Sequence, residues 1–501
     1  MNGFALPRCS PEEVGVPSAA VKRCLRALCH GETTMNGFMA ARRGKVFSEC
    51  WWAPYRAELP HSNHSFGKSY TATAVGIAVG EGLLRLDERM TDIFADEIRE
   101  KGVVLPAGIE RITVEHVLTM TNGMACHPDL SGDFIAHYFS TPLAWEPGTH
   151  FTYNTAGSCM LSALILKRSG QNVKDYLRPR LFEKIGIDPD NFVWRKFRGT
   201  GIDAEPGTFS RTEDNLRLAM LYLQGGRWNG EQILPEDFVR AALSVQISTA
   251  DAPEQKDGRC GYGYQLWACS IPGLFRFDGG QGQFGLIWPE QELVIALHEG
   301  AMGPRGPQRT LEAIYETLFP ALSDAPLPED PAALAALRRA EAEAALPADP
   351  TGGAPDPSLL GTYRVMSGVF DPWFTASPPG VGDFFALFRD PASDRPTREF
   401  SLQLKEGGLL LCFEGGKIRA SLDGQLRESY TDSPFAPLGA YAASARFGPD
   451  ELTIHIHWLN GWFETELRFA RSGEGLHVEI KKLRLNEADN YLRYEAEAVK
   501  E

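Results

Sequence analysis

Apolar and polar positions follow two different periods along this chain, and the change between them falls in its last third. The run KSYTATAVGIAVGEGLL, beginning at Lys68, is apolar on nearly all sides. That pattern predicts a helix buried all round and running into Gly82. TVEHVLTMTNGM and DNLRLAMLYLQGG read as further helices that end at glycine. MNGFMAARRGKVFSECWW predicts a strand pair around a turn at Arg43, Gly44 and Lys45. After residue 358 the segments REFSLQLKEGGLLLCFEGGKIRASLDG and ELTIHIHWLNGWFETELRFARSGEGLHVEIKKLRL alternate with period two between glycine-bearing turns. They predict an antiparallel sheet, closed as a barrel or stacked as a sandwich.

Between the two regimes lies SDAPLPEDPAALAALRRAEAEAALPADPTGGAPDPS, Pro-rich at both ends with an Ala/Glu/Arg centre that suits a short helix. It reads as a linker. The expected organisation is a mixed α/β domain over residues 1–323, a linker over 324–358 and an antiparallel β domain over 359–501. A chain of 501 residues is long for a single compact domain, and two unequal ones are the natural expectation. No repeat of fixed period points to a solenoid or propeller.

Composition narrows the partners. With 43% hydrophobic and 23% charged residues the chain can bury a large core. Its formal net charge of -15, with no basic run, argues against nucleic acid or an anionic membrane as partner. The start MNGFALPRCSPEEVGVPS lacks a cationic segment followed by an apolar run. No apolar stretch nears the ~20 residues of a membrane span. The nine cysteines form no C-x-x-C pair, which fits reduced thiols. The expectation is a cytoplasmic protein; its oligomeric state is left open.

Candidate chemistry starts at HSFGKSY. A polar stretch ends abruptly in the apolar helix, so Ser65 falls at the helix N-terminus with Lys68 one turn further along the same face. The plain alternative for Ser65 is an N-cap. That alternative leaves Lys68 unexplained, because an ammonium near the positive end of a helix dipole is disfavoured. A lysine so placed suits proton acceptance from a neighbouring serine, an established substitute for the Ser-His-Asp arrangement.

This stretch resembles the first motif of the serine β-lactamase and penicillin-binding-protein superfamily, in particular the class C β-lactamase-like esterases and peptidases. SPEEVGVPS, ITVEHVLTMTNG and WEPGTHFTYNTAGSCMLSALI resemble that family in type and order, over roughly residues 10 to 320. The resemblance implies a β-lactamase/transpeptidase-like fold, an antiparallel sheet flanked by helices plus an all-helical part, with no metal or organic cofactor. It maps the family's Tyr-x-Asn or Tyr-x-Ser motif onto Tyr153-Asn154-Thr155 and gives Tyr153 a share in proton transfer. Thr155 stands where an amide is usual, which leans away from β-lactams. The Lys-Thr-Gly or His-x-Gly motif, counted back from Pro289, falls on Leu274-Phe275-Arg276, without Lys or His. The cation that would grip a substrate carboxylate is then missing or replaced by Arg276. The oxyanion donors are expected at the N–H groups of Ser65 and Phe277, with Gly279 also lining the substrate site.

Three rival signals carry less. Gly280-Gln281-Gly282-Gln283-Phe284-Gly285 fits G-x-G-x-x-G, but the next residues, LIWPEQELVIAL, read as strand, Pro turn and strand, where a dinucleotide site needs a helix. His455 and His457 share one face of a strand; with no third ligand near in sequence they read as a polar sheet face. Cys126 and His127 in TNGMACHPD read as cleft wall or loop. The resulting expectation is a serine hydrolase working through an acyl-enzyme on small esters, then amides or D-amino-acid peptides, with β-lactams third. The alternative is an idle relative that binds an acyl ligand or a protein partner.

Overall fold

The structure is a computed structural model, and it describes residues 5–31, 33–130, 132–197, 199–252, 255–301, 305–372, 397–431, 438–461, 463–483 and 493–501. Its first part is built on a six-stranded antiparallel sheet in the order Lys45–Trp51, Thr33–Arg42, Leu293–Ala301, Gln283–Trp288, Phe275–Gly279, Trp267–Ala268. The first hairpin turns at Arg43 and Gly44, both with positive φ (53 and 76), the backbone that a tight two-residue hairpin needs. Thr33 to Arg42 pairs with Ala301 to Leu293, so the two ends of this domain are joined in the middle of its sheet.

Side chains alternate between the two faces of the sheet. Phe38, Leu286, Ile295 and Leu297 pack against the helices Ser18–Leu28, Gly306–Thr317 and Pro331–Ala342 through Leu25, Ile314 and Leu337. Met39, Val294, Ala296 and Ile287 face the opposite cluster, which includes the helices Gly67–Gly80, Thr155–Ser169 and Thr212–Leu223. The middle of the linker therefore docks rather than hanging free: Leu337 is fully buried. The helix Gly67–Gly80 is buried along Gly67 to Ala78, as its pattern predicts. Small residues let its neighbours approach, and a Cβ on Gly76 would lie 2.4 Å from Leu234.

The C-terminal part is a closed nine-stranded barrel. Its strands run Gly416–Ser421, Gly408–Phe413, Glu399–Lys405, Gly361–Gly368, Arg493–Lys500, Gly475–Leu483, Glu464–Ser472, Glu451–Trp458 and Ala440–Gly448, and the two ends meet at Ser421 and Ser444. Tyr363, Phe400, Leu411, Ile456, Trp458 and Phe469 fill its interior, so closure gives a packed core and, among the described residues, leaves no long free edge. Of the two architectures the sequence allows, the barrel is the one formed.

Barrel and first domain meet beside the turn that carries Ser65. Tyr55 packs against Ala440, Ala442 and Leu459. Arg56 pairs with Glu428 at 3.0 Å. Asn460, in the turn after Glu451–Trp458, accepts the N–H of Ser62 at 2.9 Å and donates to the Pro60 carbonyl at 2.6 Å. Among the described residues no helix is long and apolar enough to cross a membrane.

Candidate active site

The chain reaches Ser65 through a short strand and a sharp bend. His61–Ser62 pairs with Ser210 and Phe209. His64 then adopts φ 50, a left-handed conformation that costs a non-glycine residue about 1–2 kcal/mol. That bend leads into the 3-10 turn His64–Phe66 and directly into the helix Gly67–Gly80. Ser65 is thereby set at the helix start, where main-chain N–H groups have no partner within the helix.

The bend is held by polar groups drawn from four segments. The Asn63 side chain donates to the Ser210 hydroxyl at 2.8 Å, and its amide oxygen Oδ1 accepts from Asn215 at 2.9 Å. His298 lies 3.1 Å from the same oxygen, and Tyr70 donates to Asn215 at 3.0 Å. All are buried. Burial pushes the His61 imidazole down to about 4. It pushes His64 down to about 3, with His61, Lys482 and Lys68 adding to the effect, and holds His298 well below its ordinary value. These imidazoles are therefore neutral, and those of His61 and His298 hydrogen-bond to Asn36, Thr212, Asn215 and Asn63. No sequence signal points to this network, since its members are scattered from position 63 to 298 and none sits in a recognisable motif.

Lys68 Nζ lies 3.0 Å from Ser65 Oγ and 5.3 Å from the centre of the Tyr153 ring. The lysine is 2% exposed. Tyr153 arrives on the loop ahead of the helix Thr155–Ser169, whose N-terminus is capped by Asn154 accepting from Gly157 N–H at 2.9 Å. The Tyr153 ring lies parallel to Trp267, with centroids 6.0 Å apart. Thr155 is the first residue of that helix and is half-buried. Desolvation against the cleft and then the nearby Lys68 charge lower the pKa of His127, whose ring bonds to the Tyr153 main chain. His127, like Cys126, is exposed, and neither is among the residues that line the cavity next to Ser65.

The opposite wall is the end of the strand Phe275–Gly279 and the turn after it. A cavity of about 330 Å³ is lined by Ser65, Tyr153, Trp267, Arg276, Asp278 and Gly280, among others. Gly279 is required here, because a Cβ on it would lie 2.1 Å from the Asn63 carbonyl oxygen. The G-x-G-x-x-G stretch is the hairpin turn between two strands and runs into strand, not helix.

Phe277 does not occupy the place expected of an oxyanion donor. The Leu274 carbonyl accepts from Cys269 N–H at 2.9 Å, toward the short edge strand Trp267–Ala268. Main-chain groups alternate along a strand, so those of Phe277 point the other way, into the pairing with Gly285. Its side chain is fully buried against Phe66 and Tyr222, with centroids 5.1 Å away in each case. Gly279 and Gly280 approach the turn that carries Ser65: a Cβ on the first would lie 2.1 Å from the Asn63 main-chain oxygen, and one on the second within 4 Å of the His64 ring.

Arg276 is at the cavity but is not a free cation. Its Nε pairs with Asp278 at 2.7 Å, Nη1 donates to the Asp257 carbonyl at 2.9 Å, and the guanidinium lies 5.7 Å from the Trp267 ring centre. Burial disfavours the Arg276 charge, but Asp278 outweighs that and holds its pKa raised. Burial likewise raises Asp278, against the pull of Arg276. The pair presents a nearly neutral wall where the resemblance implies a carboxylate-binding cation.

Residues 27–318 match the family model described as Beta-lactamase. Penicillin-binding protein 4 of Amycolatopsis lactamdurans is 32% identical over 132 residues, 25% of this chain and 33% of that protein, so the chain spans about a third of the length of this curated relative. The octameric penicillin-binding protein homologue from Pyrococcus abyssi is similar at 16% identity, over 95% of this chain and 98% of that one, with a TM-score of 0.45. A family VIII carboxylesterase is similar at 16% identity, over 62% of this chain and 99% of that one, with a TM-score of 0.48. With more than half of its length matched by that family model, the chain belongs to the Beta-lactamase family and has its hydrolase fold.

Proposed function

We propose that this protein is a serine hydrolase that cleaves small neutral esters, and more slowly amides, through an acyl-enzyme on Ser65. The observation that carries the reading is Lys68 Nζ at 3.0 Å from Ser65 Oγ, with the Tyr153 ring on its far side. Lys68 takes the Ser65 proton as Oγ bonds to the substrate carbonyl carbon. The carbonyl oxygen becomes an oxyanion, held by the N–H groups of Ser65 and of Gly280 in the turn facing it. Collapse of the tetrahedral intermediate breaks the bond to the leaving group, which takes its proton from Tyr153. Tyr153 is then reprotonated from Lys68. Water repeats the sequence on the acyl-enzyme and releases the acid.

The cavity supports a preference among acyl groups. Trp267 and Phe284 give it apolar walls, and its cation is spent on Asp278. An acyl chain ending in a carboxylate meets no free positive charge among the described lining residues and lies near an acidic group. Penicillins and peptides with a C-terminal carboxylate therefore rank below neutral acyl donors. The test is a pair of p-nitrophenyl esters of equal acyl length, one ending in methyl and one in carboxylate. The neutral ester should show a kcat/KM roughly tenfold higher, since a carboxylate desolvated in the cavity without a cationic partner costs about 1–3 kcal/mol. A preference for the carboxylate ester would overturn this substrate assignment.

A further inference from the structure

A second cluster of chemically capable side chains lies on the outer wall of the barrel. Along the strand Glu451–Trp458 the residues Ile454, Ile456 and Trp458 point inward, so His455 and His457 project outward. They do not face open solvent. The segment after the helix Pro331–Ala342 is strapped over them: Asp349 N–H donates to the Gly424 carbonyl at 2.9 Å and Gly353 N–H to the Phe447 carbonyl at 2.7 Å. The strap places the Asp349 carboxylate between the two rings. Its Oδ2 lies 3.2 Å from His455 Nδ1 and 3.2 Å from His457 Nε2.

From the next strand, Glu464 stands directly opposite His457. Its Oε2 lies 2.8 Å from His455 Nε2, and its Oε1 lies 2.9 Å from His457 Nδ1. Each imidazole thus has one nitrogen toward Asp349 and the other toward Glu464. Side-chain exposure is 7% for His457, 8% for Glu464, 10% for Asp349 and 23% for His455, so the cluster is covered except at the His455 rim.

We propose that His455 Nδ1, His457 Nε2 and the Asp349 carboxylate bind one divalent transition-metal ion of the zinc class, with Glu464 hydrogen-bonded to His455 and at ion-pair distance from His457. The three donor atoms already lie within 4.8 Å of one another. An ion with bonds of about 2.0–2.2 Å in tetrahedral geometry holds its donors roughly 3.3 Å apart, and two of the three edges measure 3.2 Å. Glu464 supplies the outer carboxylate that fixes the tautomer and angle of metal-binding histidines. Charge balances as well: two carboxylates offset one doubly charged ion with both imidazoles neutral. Two imidazole nitrogens with one oxygen suit zinc-class ions rather than calcium or magnesium, which take oxygen ligands. The His455 rim leaves a fourth position for water.

The ion would staple the linker to the barrel wall, just ahead of the turn that carries Leu459 and Asn460. In the sequence His455 and His457 read as a polar sheet face because no third ligand lies near them. The fold brings Asp349, 108 positions before His457, into contact.

The test uses the full-length, tag-free protein, stripped with chelator, desalted and titrated with Co²⁺ and then Zn²⁺. The expected result is one equivalent bound, with a visible Co²⁺ spectrum lacking a thiolate charge-transfer band and a rise in melting temperature on adding Zn²⁺. Glu464→Gln should weaken binding roughly tenfold or more. Asp349→Asn and His455→Gln should abolish both the spectrum and the thermal shift. The rim position of His455 makes its variant the control for folding, checked by circular dichroism. Absence of a bound equivalent, binding unchanged in the well-folded His455→Gln protein, or a thiolate band that assigns the ion to a cysteine would overturn the proposal.

Discussion

Asn460 of the barrel holds Ser62, three residues before Ser65, by accepting its N–H at 2.9 Å, and the Asn460 side chain donates to Pro60 at 2.6 Å. A turn of the second domain therefore forms part of the support under Ser65. The Asn460 side-chain oxygen also accepts from Ala440 N–H at 3.0 Å, which ties the clamp to the barrel strands. Asn460→Ala removes the side-chain half of the clamp and leaves Ser65, Lys68 and Tyr153 intact. Catalysis depends steeply on placement, so kcat should fall roughly tenfold to a hundredfold. Stability should drop by about 1–3 kcal/mol from the buried groups left unpaired. Kinetics and urea unfolding of the same variant check both, and unchanged kcat would show that the barrel contact is passive.

The Lys68 and Tyr153 roles separate by substitution. Lys68→Ala should lower kcat/KM by roughly 10²–10⁴-fold, the range of a general base. Tyr153→Phe keeps the ring parallel to Trp267 and removes only the hydroxyl. It should lower kcat for poor leaving groups far more than for p-nitrophenol, which departs without a proton. Equal losses on both kinds of substrate would remove Tyr153 from leaving-group protonation.

Acid should weaken the fold through the buried imidazoles near the nucleophile. His61 is held near 4 and His64 near 3, against an ordinary 6.5. The unfolded chain takes up these protons first as pH falls. The stability they contribute is present in full above about 6.5 and is lost on acidification toward 4, by up to about 1.4 kcal/mol per pH unit for each group. Melting temperature should fall steadily between pH 6.5 and 5, and a flat profile over that interval would contradict this.

Glu299 acts in the opposite direction. Burial raises its carboxyl to about 8, although Thr33 and Thr310 donate to it, and a Cβ on Gly282 in the hairpin turn would lie 1.8 Å from its Oε1. Here the folded state holds the proton longer than the unfolded chain. Its contribution is complete below about 4.5 and is lost as pH rises through 8. Glu299→Gln keeps the hydrogen-bonding shape without the charge, so its stability advantage over wild type should grow from pH 5 to pH 8 and then level off. Parallel melting curves of the two proteins across that range would rule out a buried ionising carboxyl.

The features legible in the chain are the local ones. Ser65 and Lys68 sit one helical turn apart, Tyr153 opens a motif, and the period of two after residue 358 marks strands, so each is visible within a few residues. The parts that escape sequence reading depend on distant segments meeting. Asn63, Ser210, Asn215 and His298 form one buried network but come from separate elements. The second oxyanion donor depends on which strand positions face the open edge, a matter of register that the Leu274–Cys269 pairing decides. Arg276 is legible as a cation, but its pairing with Asp278 two residues on requires the strand geometry that puts both side chains on one face. Barrel and sandwich share the same alternation, and only the contact of Ser421 with Ser444 distinguishes them.

The central claim is that Ser65 is the nucleophile of an acyl-enzyme, and intact-mass analysis after treatment with a fluorophosphonate tests it most directly. The predicted result is a single adduct on wild type, no adduct on Ser65→Ala, and turnover of p-nitrophenyl esters by the first protein alone. Well-folded wild type that takes up no reagent, or an adduct that persists in Ser65→Ala, would contradict it and leave a cleft that binds without catalysing.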